Sequence, residues 1–166
     1  MAEYALLALA APFALWAALS DLKTMRIPND ISELAAIAFI LIMPFLLSLD
    51  DFGLRVAVGG WVLLIGFFLN AVGLVGGGDV KFATVMVPYA LPADYQFLLI
   101  IYLSSLLICF ALHRFALQIM QKGAVMPEVL AGWQSFNAGG KFPMGFPMAV
   151  AILVYLIGKA LGVGPL

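Results

Sequence analysis

The sequence predicts an all-α, polytopic membrane protein of about six transmembrane helices. Three observations predict it. Hydrophobic residues make up 65% of the chain and charged residues 10%, against roughly a quarter charged in soluble domains. The mean hydropathy is +1.13. The apolar residues also gather into runs separated by short polar connections, and a spanning helix needs about 20 such residues because lipid offers its backbone no hydrogen bonds. A length of 166 residues then holds roughly six spans and no separate soluble domain, so residues 1–166 read as one integral membrane domain.

Glu3 to Ser20 forms the first span. Its start, Met1-Ala2-Glu3-Tyr4, lacks the basic stretch of a signal peptide and the apolar run continues through Trp16, which marks a retained helix. The densest polar segment follows, from Asp21 to Asp30, where Pro28 biases Ile27 away from helix and Asn29 or Asp30 is placed to cap the next one. Ile31 to Leu49 is the second span, with Glu33 near its start and Pro44 within it, tolerable in a membrane helix. Asp50-Asp51-Phe52-Gly53 reads as a turn. Leu54 to Val75 is the third span, in which Gly59, Gly60 and Gly66 offer close helix contacts.

Gly76-Gly77-Gly78-Asp79-Val80-Lys81 then interrupts the apolar pattern. Val80 to Leu91 is a short fourth segment, tolerated if it lines a watery cavity. Tyr95 to Leu112 is the fifth span. The long polar connection from His113 to Lys141 is expected to be loose over Gly132 to Gly140, with Phe115 to Met120 and Val125 to Leu130 lying amphipathically on the membrane surface. His113 is expected to mark a membrane boundary. Phe142 to Leu161 is the last span, opened by Pro143, Gly145 and Pro147.

Six spans place Lys23, Arg26, Lys81, Arg114, Lys122 and Lys141 on one side and leave Arg55 and Lys159 on the other. Positive charge accumulates on the cytoplasmic side. Both termini are therefore expected outside, with Asp21 and Asp79 on the cytoplasmic face of the inner membrane. The net charge of −1 leaves no nucleic-acid footprint, so the expected surroundings are the lipid bilayer and other membrane proteins. Cys109 is the sole cysteine, which excludes an intrachain disulfide and a thiolate metal cluster; a buried, inert thiol fits its apolar run.

Asp21 ends the first span and Asp79 begins the fourth, so one packing arrangement brings both carboxylates into a single polar cavity. Two carboxylates a few ångströms apart share a proton, giving one base and one acid. The charged form can deprotonate a water while the protonated form polarises a peptide carbonyl, with no metal or cofactor required. The glycines permit close backbone approach and angles closed to other residues. Plainer readings stand beside this one: a flexible glycine connector, Asp21 paired with Lys23 or Arg26 as a solvated loop charge, and cations placed by topology and lipid headgroups.

Gly76-Gly77-Gly78-Asp79 resembles the GxGD signature of membrane aspartyl proteases. The run from Asp21 to Asn29, with Lys23, Arg26, Pro28 and Asn29, resembles the first-aspartate motif of the type IV prepilin peptidases, and Val80-Lys81-Phe82 and the Pro143 to Pro147 segment are similar to their later motifs. The resemblance implies an aspartyl endopeptidase that removes the short basic leader of prepilin-like proteins at the cytoplasmic membrane face. Asp21 and Asp79 would be its catalytic pair, and Lys23, Arg26, Pro28, Asn29, Gly76, Gly77, Gly78, Lys81, Pro143 and Gly145 would shape the site or hold substrate. Bifunctional members carry a cytoplasmic insertion with paired cysteines and methylate the new N-terminus. Here only about ten residues join the first two spans, a short connection, so methyl transfer is not implied, nor is a role for Pro147. The chain resembles instead the compact peptidases of tight-adherence (Flp-type) pilus systems, whose size and site archaeal preflagellin peptidases share. A proton- or ion-coupled transporter and a non-catalytic subunit of a pilus or secretion machine are the rival classes; acids at helix ends rather than mid-membrane, and the lack of an internal repeat, weigh against transport.

Overall fold

The computed structural model describes residues 2–121, 130, 132–137, 139 and 141–163, and among them every regular element is helical. In chain order the helices are α1 (Ala2–Thr24), α2 (Asn29–Ile42), α3 (Leu49–Ala71), α4 (Gly77–Met86), α5 (Tyr95–Gln121), α6 (Gln134–Asn137) and α7 (Gly145–Ala160). Three stretches are long and apolar enough to cross a membrane, Glu3–Thr24, Leu49–Ala71 and Pro92–Met120, and Gly145–Ala160 is a shorter apolar helix. The segment expected to span over 31–49 is shorter, with 14 residues in α2, and the fourth segment is short as expected, with 10 residues in α4. At 1.5 Å per residue they cover about 21 and 15 Å, less than the roughly 30 Å of hydrocarbon.

Several boundaries differ from the sequence reading for identifiable reasons. Helix α1 runs on to Thr24 because nothing breaks it before Pro28, and the Thr24 hydroxyl bonds back to the Ser20 carbonyl at 2.9 Å. Asp21 therefore stands on a helix, not in a loop. Pro44 lies in a tight turn, Met43–Phe45, just beyond the end of α2 at Ile42, where its missing N–H costs least. The expected turn Asp50 to Gly53 is the first turn of α3: Ser48 caps it by accepting the Asp51 amide at 3.2 Å, and acids favour a helix start.

Helix α5 passes straight through His113 and Phe115 to Met120, since the first breaker after Pro92 is Gly123. The connection expected to be loose contains the short helix α6. The proposed surface stretch Val125 to Leu130 lies, apart from Leu130, outside the described residues.

Helices α1 and α7 lie together, and small residues let them. Ala10, Ala14 and Ala17, spaced along one helical face, are completely buried and join Ala149, Ile152 and Leu156 in the core, as close helix packing in lipid favours. Helix α4 sits against α3 through two of the three expected glycines. A Cβ at Gly59 would stand 3.0 Å from the Thr84 carbonyl and one at Gly66 would overlap Val80, whereas Gly60 faces open space. Trp61, Phe67 and Leu107 are well exposed on the outer faces, as lipid-facing side chains should be. Cys109 is buried with a free thiol.

Arg55 and Lys159 are not solvated loop charges. Arg55 is 2% exposed; it pairs with Asp51 at 3.1 Å and donates to the carbonyls of Pro88 and Ala90 at 3.1 and 2.9 Å. Lys159 pairs with Asp94 at 3.0 Å, and Asp94 also accepts the Tyr155 hydroxyl at 2.8 Å. These contacts tie α3 and α7 to the turns that link α4 to α5. Replacing Arg55 by Ala leaves two buried carbonyls without a donor and Asp51 without its cation. Arg55→Ala is expected to cost roughly 3 kcal/mol, read as a lower thermal unfolding midpoint in detergent; a midpoint equal to wild type would show that water replaces the guanidinium.

Candidate active site

Asp21 occupies the last turn of α1 and is 4% exposed. Its Oδ2 accepts the backbone N–H of Phe146 at 2.9 Å. Phe146 is the second residue of α7, where amides have no partner within the helix and the helix dipole presents its positive end. The start of one helix therefore holds the carboxylate at the end of another, and the bond offsets part of the cost that burial imposes on the charged form of Asp21. Asp79 lies in the first turn of α4, at the start of the fourth segment as the sequence suggests.

Both carboxylates line one cavity of about 390 Å³. Its walls come from Met25, Arg26, Ile27 and Asn29 around the α1–α2 turn, from Gly76 to Gly78, and from Phe142 to Met144 ahead of α7. Burial pushes the Asp79 carboxyl up to about 6, and the neighbouring Asp21 charge adds to the effect. The two acids thus interact, as a pair sharing one proton must.

The motif glycines serve space rather than unusual angles. Gly76 has φ −68° and ψ 141°, open to any residue, and the left-handed turn between α3 and α4 falls instead on Gly73 at φ +77°. A Cβ at Gly76 would stand 2.8 Å from Asp79 Oδ2. One at Gly145 would overlap Ile27 and stand 3.1 Å from Asp21 Oδ2. Gly77 and Gly78 are less crowded, with nearest neighbours at 3.7 and 3.4 Å. Met25 carries the strain here: its φ is +55°, a left-handed angle costing roughly 1 kcal/mol in a residue with a Cβ, and its N–H bonds the Asp21 carbonyl at 2.9 Å to end α1.

Of the residues singled out in the sequence, Asp21, Arg26, Asn29, Gly76, Gly77, Gly78, Asp79 and Pro143 line this cavity. Gly145 backs it against Asp21. Lys81 donates to Asn29 Oδ1 at 2.9 Å, joining the two motifs from outside. Pro28 precedes α2 with φ −58°, so Asn29 is the first helical residue and not its cap; no side-chain cap bond forms there. Lys23 points away, exposed, with its ammonium 6.0 Å from the Trp133 ring.

Sequence reasoning missed the Phe146 amide, although a helix start at this proline-flanked segment was the available signal. It also missed Phe142 and Met144. Phe142 meets Phe110 and His113 edge-on, with centroids 5.4 and 5.6 Å apart. His113 in turn stacks on Phe136 and its Nε2 lies 3.1 Å from the Ser135 carbonyl. His113 is thus buried behind Phe142, which lines the cavity.

A family model described as the type IV leader peptidase family matches residues 8–113, a stretch that contains Asp21 and Asp79 but ends before Pro143 and Gly145. No curated protein and no solved structure matches the chain. The two crowded and uncrowded glycines make a direct contrast. Gly145→Ala is expected to lower stability by about 1–3 kcal/mol through overpacking, whereas Gly78→Ala is expected to be neutral or to stabilise by up to ~1 kcal/mol through helix propensity. Thermal unfolding of both variants checks this, and equal midpoints would remove the steric account of Gly145.

Proposed function

The chain belongs to the type IV leader peptidase family, and from that membership we propose that it is an intramembrane aspartyl endopeptidase acting on prepilin-like proteins. The observation that carries this reading is that Asp21 and Asp79 line one cavity at the ends of two helices. The Phe146 amide supports Asp21 as the charged member, and the raised affinity of Asp79 supports it as the holder of the shared proton.

In this mechanism Asp21 takes a proton from a water while the water oxygen attacks the scissile carbonyl carbon. Asp79 donates its proton to the carbonyl oxygen. The resulting tetrahedral intermediate collapses as the C–N bond breaks, Asp21 returns its proton to the leaving amine, and Asp79 recovers its own. The chemistry calls on no cofactor or metal. Gly76 and Gly145 keep the two carboxylates clear of side chains, and Arg26, Asn29, Gly77, Gly78 and Pro143 shape the trough for the substrate backbone, with Pro28 and Lys81 supporting its rim.

Arg26 lines the cavity and Lys81 bonds to Asn29 in its wall, and such cations support a cytoplasmic site in the inner membrane. The matching topology has six membrane-embedded segments and extracytoplasmic termini, with α2 and α4 only partly crossing. Residues 1–166 act as one peptidase domain. The α1–α2 connection, residues 25–28, leaves no room between these helices for a methyltransferase insertion, so the reading is peptidase alone.

The test is loss of the leader from a co-expressed prepilin-like protein, compared for wild type, Asp21→Asn and Asp79→Asn at matched expression. Wild type is expected to cleave and each variant to lose cleavage by at least about a hundredfold, since general acid–base groups contribute 10²–10⁴-fold each. Cleavage by either variant at the wild-type rate would overturn the two-aspartate mechanism.

A further inference from the structure

A second cavity, of about 560 Å³, adjoins the polar trough and has the opposite character. Helix α3 contributes Val62 and Ile65 to one side of it, and helix α5 contributes Leu99 and Tyr102 to the other. Its floor is formed by α4 and α7, including Met86 and Ile152. Because α3 rests on α4 while α5 rests on α7, the two long helices stand as side walls with the short α4 between them. Ile65 and Leu99, on the walls, are 57% and 55% exposed, so the chamber opens sideways out of the helix bundle. In a bilayer that direction is lipid.

Asp79 and Met144 line both cavities. The polar trough therefore ends, and the apolar chamber begins, at one of the two carboxylates. We propose that the gap between α3 and α5 is a lateral entry that seats the apolar membrane segment of the substrate, an inference that rests on the peptidase reading. A chain with a polar stretch joined to an apolar one lies across the two cavities with the junction beside Asp79, which is where the bond to be cut must be. A lipid tail would fill the chamber and leave the trough unused.

The residues of α3 on the chamber, at positions 58, 62, 65 and 69, recur at helical spacing on one face, and Phe67 lies on the opposite face, 64% exposed. That arrangement supplies both probe and control. A photo-crosslinking amino acid placed at Ile65, at Leu99 or at Phe67 in the full-length Asp21→Asn chain is irradiated in membranes with a co-expressed, epitope-tagged prepilin-like protein. An adduct with the tagged protein is expected from Ile65 and from Leu99 and absent from Phe67. All three sites are exposed apolar positions, so folding should survive each replacement, and the unmodified chain is assayed alongside for cleavage. If the unmodified chain cleaves but Ile65 and Leu99 yield no adduct, or only adducts with lipid or with a second copy of this chain, or if Phe67 reacts equally, the lateral entry is wrong. If the unmodified chain does not cleave, the peptidase reading itself falls and the entry falls with it.

Discussion

The hydrogen bond from the Phe146 amide to the Asp21 carboxylate is the contact on which the rest of the site depends. A carboxylate nearly excluded from water is costly unless something favours its charge, and the first turn of α7 supplies a donor and a positive helix end together. That bond requires the last turn of α1 to meet the first turn of α7. The alanine face of α1 brings the two helices close, and Gly145 leaves room where a Cβ would press on the carboxylate. Sequence, packing and electrostatics converge on one oxygen atom.

Asp79 is held differently. It rides on α4, a helix of 10 residues seated against α3 by Gly59 and Gly66 and tethered at its far end by Arg55, which grips the carbonyls of Pro88 and Ala90. A charge beyond the far end of α4 therefore helps fix the position of a helix that carries one of the acids. Asp79 also faces two environments at once, polar on one side and apolar on the other. An apolar segment seated beside it would remove water and raise its hold on a proton further, coupling occupancy of the chamber to formation of the singly protonated pair.

Much of this was legible in the sequence because membrane helices write themselves as apolar runs, and because Asp21, Asp79 and the glycines stand out against such a background. The helix ends were less legible. Asp21 reads as a boundary residue because polarity signals the end of a membrane helix, whereas Ser20, Lys23 and Thr24 are all compatible with helix and the chain turns only at Met25. The same reasoning misplaced the Asp50 to Gly53 segment, whose acids belong to a helix start. Arg55 and Lys159 were invisible as structural ions because their partners, the carbonyls of Pro88 and Ala90 and the carboxylate of Asp94, lie far away in sequence. Backbone partners such as the Phe146 amide leave no side-chain signature at all.

The most direct measurement is a titration of the Asp79 side-chain carboxyl by its carbon-13 chemical shift, in detergent-solubilised wild type and in Asp21→Asn. Burial, with the Asp21 charge adding to it, leads us to expect that the wild-type carboxyl titrates at about 6, protonated below and ionised above. Removing the Asp21 charge should move that midpoint down, while burial still holds it above the usual carboxylate value of about 4. A wild-type midpoint near 4, or one that does not move when Asp21 loses its charge, would contradict the pairing of the two aspartates.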